Sequence, residues 1–447
     1  MKVLMLGWEY PPHISGGLGT ACEGLSAGLA RNNIELTFLV PHFFGGETAQ
    51  HMRLLDAAGA QAGRSPARSR TSSARSSVQV APQQVPASMS AYWSPEEYQR
   101  FVEQLHEGRA QAALAAKAQQ SLGALPTPES ATAEEAAEEQ FEAYGRDIFE
   151  EIARFSARTL SLAKKLDFDV IHAHDWMTFP AAVALAEQSK KPLVLHVHSL
   201  EFDRSGEHVN QQIYDIERWG MHAARAVVAV SYYTRALIHE RYDLPLEKVA
   251  VVHNGVYAPE VIQKYRRESN LSARVVLFLG RITFQKGPDY FVEAAAKVIP
   301  YVPNVLFVMA GAGDMLQRMV DRVQALGIAR YFYFPGFLRG QEVEQMFSLA
   351  DVYVMPSVSE PFGISALEAI SYDTPVIISK QSGVSEVLSH ALKVDFWDID
   401  RLADMMINAL LHDELRADMV SMAREELRRL HWDAAALKTI ELYRSLL

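Results

Sequence analysis

The chain has 447 residues, 49% of them apolar and 22% charged. At roughly 150 residues per domain it has room for two or three domains whose cores need no disulfide or metal staple. Its 43 Lys and Arg against 54 Asp and Glu give a formal charge of −11, the wrong sign for a protein that holds nucleic acid by neutralising phosphates. One cysteine, Cys22, excludes an intramolecular disulfide and a cysteine-cluster metal site.

Met1–Leu6 is apolar but ends at once in Gly7-Trp8-Glu9-Tyr10-Pro11-Pro12, too short for a signal-peptide core and without a small-residue cleavage site. No apolar run approaches the roughly 20 residues that cross a bilayer, so a cytoplasmic location away from membranes is expected. Lys2–Leu6 reads as a buried strand, Gly16, Gly17 and Gly19 follow it, and Leu25, Leu29 and Ala30 mark a helix. Glu35–Val40 is the next strand. From about 58 to 137 the chain is dominated by Ala, Ser, Gln, Arg, Glu and Pro, too poor in large apolar residues to offset its ordering entropy. Basic at its start (Arg64, Arg68, Arg70, Arg75) and acidic at its end (Glu134, Glu135, Glu138, Glu139), it reads as a solvated insertion rather than a binding arm, with Trp93–Ala116 as a candidate helix. An amphipathic helix runs from Ala143 through Phe149, Ile152 and Phe155 towards Leu162. Strands are expected at Asp169–His172, Leu193–Val197, Ala226–Val230 and Val249–Val252.

The pattern then restarts. Arg274-Val275-Val276-Leu277-Phe278-Leu279-Gly280 echoes Lys2-Val3-Leu4-Met5-Leu6-Gly7, and strands at Val305–Ala310, Tyr331–Phe334, Asp351–Met355 and Pro375–Ile378 continue the alternation. Continuous apolar strands separated by helices indicate parallel sheets covered on both faces. The expected fold class is therefore α/β: two doubly wound domains, 1–258 and 259–432, facing each other across a cleft, followed by a terminal helix over 433–447. That helix aligns Leu437, Ile440, Tyr443 and Leu447 along one side. Ligands of such sheets sit at the carboxyl ends of the strands.

Four groups of residues lie where that cleft is expected. Gly16-Gly17-Leu18-Gly19 after the first strand allows close backbone approach to a phosphate, with helix amides behind it; the spacing is equally that of an ordinary strand-to-helix turn. Gly280-Arg281-Ile282-Thr283-Phe284-Gln285-Lys286-Gly287 sets two cations beside glycines at the equivalent place in the second domain, able to hold a departing diphosphate from two sides without a divalent metal. Ser359-Glu360-Pro361-Phe362-Gly363-Ile364-Ser365-Ala366-Leu367-Glu368 pairs a loop carboxylate with a helix carboxylate and opens that helix with amides suited to phosphate or sugar oxygens. His172-Ala173-His174-Asp175 and His196-Val197-His198 present imidazoles on alternate strand positions. Without a spaced carboxylate or a third histidine motif no metal site is expected there. His172 and His196 read as core residues; His174, Asp175 and His198 read as strand-end ligand contacts.

Taken together, these motifs resemble the retaining two-domain GT-B glycosyltransferases of family 4, glycogen and starch synthases in particular. The resemblance covers nearly everything but the insertion. It rests on the Glu-x7-Glu element (Glu360, Glu368), Gly280-Arg281 with Lys286, Trp8-Glu9-Tyr10-Pro11-Pro12, Gly16-Gly17-Leu18, His174-Asp175-Trp176 and His253-Asn254-Gly255-Val256. It implies that Arg281 and Lys286 hold the donor diphosphate, Glu368 the ribose, and Glu360, with amides near Phe362, Gly363 and Ile364, the transferred sugar. His198 would meet the hexose 6-hydroxyl and Asp175 would line the sugar site. Gly16 and Gly17 would approach the phosphates, and the base would rest against Phe334-Pro335-Gly336 and Gly311-Ala312-Gly313-Asp314. The terminal helix would cross back onto the first domain. Ile14 stands where many bacterial and plant synthases carry the lysine of Lys-x-Gly-Gly-Leu, a departure from the main bacterial synthase group.

The activity implied is retaining transfer of glucose from ADP- or UDP-glucose to an α-1,4-glucan. It needs no metal and no cofactor, the nucleotide sugar being a substrate and a carbohydrate the acceptor. Two alternatives stand beside it. A family 4 transferase acting on a lipid-linked or surface-polysaccharide acceptor would sediment with liposomes, and a non-catalytic glucan-binding protein would release no nucleotide from a donor.

Overall fold

The computed structural model describes residues 1–12, 16–57, 148–257 and 273–447. The insertion, its candidate helix, Ile14 and the expected boundary at 258/259 lie outside them. In the first domain β1 (Lys2–Leu6), β2 (Glu35–Val40), β3 (Arg53–Asp56), β4 (Val170–His174), β5 (Leu193–Val197), β6 (Ala226–Ala229) and β7 (Val249–Val251) form one parallel sheet. Its order is β3-β2-β1-β4-β5-β6-β7. In the second, β8 (Arg274–Leu279), β9 (Val305–Ala310), β10 (Phe332–Gly336), β11 (Val352–Met355), β12 (Val376–Ser379) and β13 (Leu392–Val394) pair in the order β10-β9-β8-β11-β12-β13, again all parallel.

Strand alternation builds the layers. Leu4 and Leu6 enter one core while Val3 and Met5 enter the core on the opposite face; Val276 and Phe278 do the same against Val275 and Leu277. Both faces of each sheet must therefore be covered, which accounts for the near-continuous apolar strands. The strand order reverses between β1 and β4 and between β8 and β11. Each reversal opens a crevice at the strands' carboxyl ends, so the loops after these four strands define where a ligand can sit.

Two edge strands escaped the sequence reading, because Arg53-Leu54-Leu55-Asp56 and Leu392-Lys393-Val394 are too short to show a period. β4 also runs to His174 rather than ending at His172. His174 is thus the last residue of the strand, at its end as expected, but with no exposed surface.

The terminal helix Trp432–Leu446 lies on the helix Gly17–Arg31, which is named α1 here. A Cβ on Gly24 would fall 2.1 Å from the Trp432 ring, and one on Gly28 2.7 Å from the Trp432 carbonyl oxygen, so only glycines let the two helices approach this closely. Ala435, Ala436, Ile440 and Tyr443 are buried there. Leu437 and Leu447, expected on that side, point to solvent at 51% and 68% exposure. The buried stripe follows the short alanines that fit against the α1 glycines. Among the described residues no helix is long and apolar enough to cross a membrane.

Candidate active site

The loops after β8 and β11 meet at the second domain's switch point. Lys286 Nζ lies 2.5 Å from Glu360 Oε2, and the Ser357 hydroxyl donates to the same carboxylate oxygen at 3.2 Å. Arg281 Nη2 donates to Gln285 Oε1 at 3.0 Å. Gln285 is 3% exposed, and its main-chain carbonyl accepts from Val358 N at 2.9 Å. One buried residue thus aims the guanidinium and ties the cation loop to the Glu360 loop.

After β11 the chain turns through Gly363 at φ +106° into the helix Ile364–Ser371, here α2. A Cβ at Gly363 would lie 2.8 Å from Met355 Cε, so both backbone angle and space demand glycine. No side chain caps this helix among the described residues, and its first amides and partial positive charge face the cleft. Glu368 sits one turn beyond Ile364, on the same face. Partial burial pushes its carboxyl up to about 7.

The neighbouring loops pack on this centre. Ile282 N donates to Ala312 O at 2.8 Å and Gly311 N to Gly336 O at 2.8 Å. Gly313 and Asp314 therefore lie beside the cation loop, and Phe334 and Gly336 lie one strand further out. Burial raises the Asp314 carboxyl, with Arg281 pulling it back.

From the first domain, α1 opens at Gly17, exposed at its start, and a Cβ there would be 3.9 Å from Ile364 Cδ1. Two helix N-termini thus converge from opposite domains, a geometry that favours an anion. The buried Glu9 carboxylate accepts from Gly19 N at 3.0 Å and holds the α1 turn.

Asp175, after β4, adopts φ +59°, uncommon for a non-glycine residue. Its Oδ1 accepts from His198 N at 2.6 Å, and burial pushes its carboxyl up to about 7. His172, His174, His196 and His198 form one stacked group: adjacent rings are 4.6 Å apart on β4 and 4.3 Å apart at β5. Desolvation pushes His172 and His198 down to about 3 and holds His174 and His196 well below the ordinary range. All four rings are neutral near pH 7.

The domains touch directly. Ser231 Oγ donates to Pro361 O at 2.6 Å, and Glu386 accepts from Tyr232 N and Tyr233 N at 2.9 and 2.6 Å. Ser359 Oγ donates to Asp203 Oδ1 at 2.5 Å and meets Tyr233 OH at 3.0 Å. A first-domain carboxylate therefore holds the residue next to Glu360.

The structure brings together Arg281, Lys286, Glu360, Phe362, Gly363, Ile364 and Glu368 on one side, with Gly16 and Gly17 opposite and Asp175 and His198 at the first domain's strand ends. Sequence reading missed Gln285, Ser357, Ser359 and Asp203. The first three lie inside or beside quoted motifs, but nothing local marks their bonds. Asp203 is an ordinary acid in a helix's first turn until folding sets it against Ser359.

Two parallel-sheet Rossmann-like domains whose switch-point loops face one cleft define a GT-B glycosyltransferase. Three family descriptions match successive parts of the chain: "Starch synthase catalytic domain" over residues 2–110, "Glycosyltransferase Family 4" over 124–258 and "Glycosyl transferases group 1" over 261–426. The chain is 32% identical over 309 residues to the α-maltose-1-phosphate synthase of Mycolicibacterium smegmatis, covering 62% of this chain and 78% of that protein. It belongs to the group 1, family 4 glycosyltransferases. An uncharacterized glycosyltransferase of Methanocaldococcus jannaschii is 26% identical across 99% of this chain and 98% of its own length. The glycogen synthase of Mycobacterium tuberculosis is 29% identical, over 49% of this chain and 54% of that enzyme.

In solved structures the same fold recurs in the sucrose-phosphate synthase of Thermosynechococcus elongatus (TM-score 0.70, 18% identity, 100% of this chain and 98% of that one). It recurs also in Anabaena HepE bound to UDP and glucose (TM-score 0.64, 17% identity, the whole of both chains).

Proposed function

We propose that the chain transfers glucose, with retained anomeric configuration, from ADP- or UDP-glucose to the end of an α-1,4-glucan, without a metal. The observation that carries this reading is the meeting of Arg281, Lys286 and Glu360 at the second domain's switch point, opposite two converging helix N-termini. Nucleoside diphosphate leaves as the bond to the sugar breaks. Arg281 and Lys286 neutralise its growing charge, as a divalent cation otherwise would. The released phosphate oxygen takes the proton of the incoming hydroxyl, which attacks from the same face.

For the donor diphosphate to reach Lys286, the ammonium must leave Glu360, freeing that carboxylate for hydroxyls of the transferred sugar. Glu368 accepts from the ribose. Phe334, Gly336, Gly313 and Asp314 border the base, and Asp175 and His198 border the hexose. Neutral imidazole, and a carboxyl that burial pushes towards protonation, suit uncharged hydroxyls. The names of the glycogen synthase and α-maltose-1-phosphate synthase relatives support glucose and an α-glucan or its phosphorylated precursor as the chemistry.

The test is a panel of nucleotide sugars offered with glycogen, maltooligosaccharide, glucose 1-phosphate or no acceptor, reading released diphosphate and the anomeric configuration of the product. Diphosphate release with ADP- or UDP-glucose, dependent on a glucan and yielding α-linked product in the presence of EDTA, is expected. β-Linked product, abolition by EDTA, or transfer only to lipid-linked acceptors in liposomes contradicts it.

A further inference from the structure

Behind the uncharged wall of Asp175 and His198 lies a group of paired charges that the transfer chemistry leaves unused. β5 is followed by the short helix Glu201–Ser205, and this helix touches both loops that carry charge into the cleft. Asp203 Oδ2 accepts from Leu200 N at 2.8 Å, at the start of its own helix, while Oδ1 accepts from Ser359, the neighbour of Glu360. The helix also packs on the turn Phe284–Lys286. Gly206 ends it at φ +61°, with its Cβ position 3.4 Å from Phe284 Cε1.

Five residues close too few hydrogen bonds to hold a helix in place alone. Arg204 supplies the anchor. Its side chain is 16% exposed. Nε donates to Glu201 Oε2 at 3.1 Å, Nη2 to Glu217 Oε1 at 2.7 Å, and Nη1 to Ser199 O at 3.2 Å. Glu217, from the helix Gln211–Ala223, also accepts from Glu201 N at 3.1 Å and from Tyr242 OH. Glu201 Oε1 accepts from Ser205 Oγ at 2.9 Å and from Asn210 N at 3.0 Å. One guanidinium thus ties the short helix to the residue beside His198 and to the larger helix behind it.

We propose that Arg204, through Glu201 and Glu217, is a positioning residue for sugar transfer: it holds the helix Glu201–Ser205 where Asp203 meets Ser359 and Gly206 meets Phe284, and so sets the gap between the domains that receives the donor. The inference rests on the cleft being the donor site.

Two arguments carry it. A buried ion pair adds little net stability, because desolvation offsets the attraction, so an apolar side chain would fasten the helix as firmly. What the planar fork adds is direction, since it fixes three partners at set angles. The second argument is where the bonds lead. From Tyr242 they pass through Glu217 and Arg204 into the short helix, and from Asp203 they cross to Ser359, beside the carboxylate that pairs with Lys286.

The test uses the full-length Arg204→Met/Glu217→Gln variant, which removes the fork together with the carboxylate it pairs. Spin labels on Glu187→Cys and Asp321→Cys, exposed positions in opposite domains, read the gap directly; Cys22 is buried and stays unlabelled. The expected distance distribution is longer and broader in the variant than in the wild type, with or without ADP or UDP. Donor KM should rise about tenfold, the loss of one charged hydrogen bond across the cleft, with little change in kcat. Adding Ser359→Ala should raise KM no further, because both changes act through Asp203. If the double variant fails to fold, Glu201→Gln takes its place, keeping an oxygen for Ser205 and Asn210 while losing the ion pair with Arg204. An unchanged distance distribution, a fall in kcat with donor KM held, or a further loss on adding Ser359→Ala overturns the proposal. The distance readout needs no sugar, so it holds or fails apart from the identity of the reaction.

Discussion

The two domains share a fold and meet the cleft with opposite electrostatics. The second presents full charges: Arg281 and the Lys286–Glu360 pair. The first presents neutral groups: four imidazoles, and an Asp175 carboxyl that burial pushes up to about 7. The cause is local. In the loop after β8 Arg281 is exposed and Lys286 is half-buried against Glu360, so the two cations keep their charge at the cleft. Side chains after β4 and β5 lie beneath α1 and the terminal helix, where a charge would cost too much. The contrast teaches that a repeated fold divides labour: one copy manages a charged leaving group, and the other shapes a polar but uncharged wall.

The largest effect should come from breaking the charged side. Lys286→Ala or Arg281→Ala is expected to lower turnover by about 10²–10³ with an unchanged circular dichroism spectrum; near-wild-type turnover would remove the difference between the domains. Trp432→Ala, at the first domain's glycine-lined helix contact, should cost about 3–5 kcal/mol of stability, read by chemical denaturation. A loss below 1 kcal/mol would mean that the contact does not fasten the terminal helix.

Across the cleft, Asp203→Asn or Ser359→Ala removes a carboxylate hydrogen bond worth about 1.5 kcal/mol. A roughly tenfold rise in donor KM with little change in kcat is expected, as closure weakens before chemistry does.

The smallest effect concerns pH. Glu368, raised to about 7 from an ordinary 4.5, keeps its proton in the native state while the unfolded chain has lost it. The stability it contributes is thus present below about 4.5 and lost as pH rises through about 7. Glu368→Gln should match the wild type near pH 4 and exceed it by about 1–2 kcal/mol near pH 8, while losing donor affinity; parallel stability curves would contradict the raised carboxyl.

Much of this was legible in the sequence because long apolar strands ending in glycine declare themselves. β1 and β8 carry the same signal, and the loops they introduce hold Gly16, Gly17, Arg281 and Lys286. Glu360 in a loop and Glu368 in a helix followed from Pro361 and Gly363. What stayed hidden depends on distance along the chain. Asp203 meets Ser359 only after folding, and no periodicity encodes such an encounter. Ile440 and Tyr443 face the first domain as expected, while Leu437 and Leu447 do not, because the partner surface is α1 with Gly24 and Gly28, which selects the short Ala435 and Ala436.

The most direct measurement is a crystal structure with a bound nucleoside diphosphate. The expected result places β-phosphate oxygens within hydrogen-bond distance of Arg281 and Lys286 Nζ, with Lys286 parted from Glu360. A diphosphate seated away from both cations, with the Lys286–Glu360 pair intact, would contradict the assignment of the leaving group to the second domain.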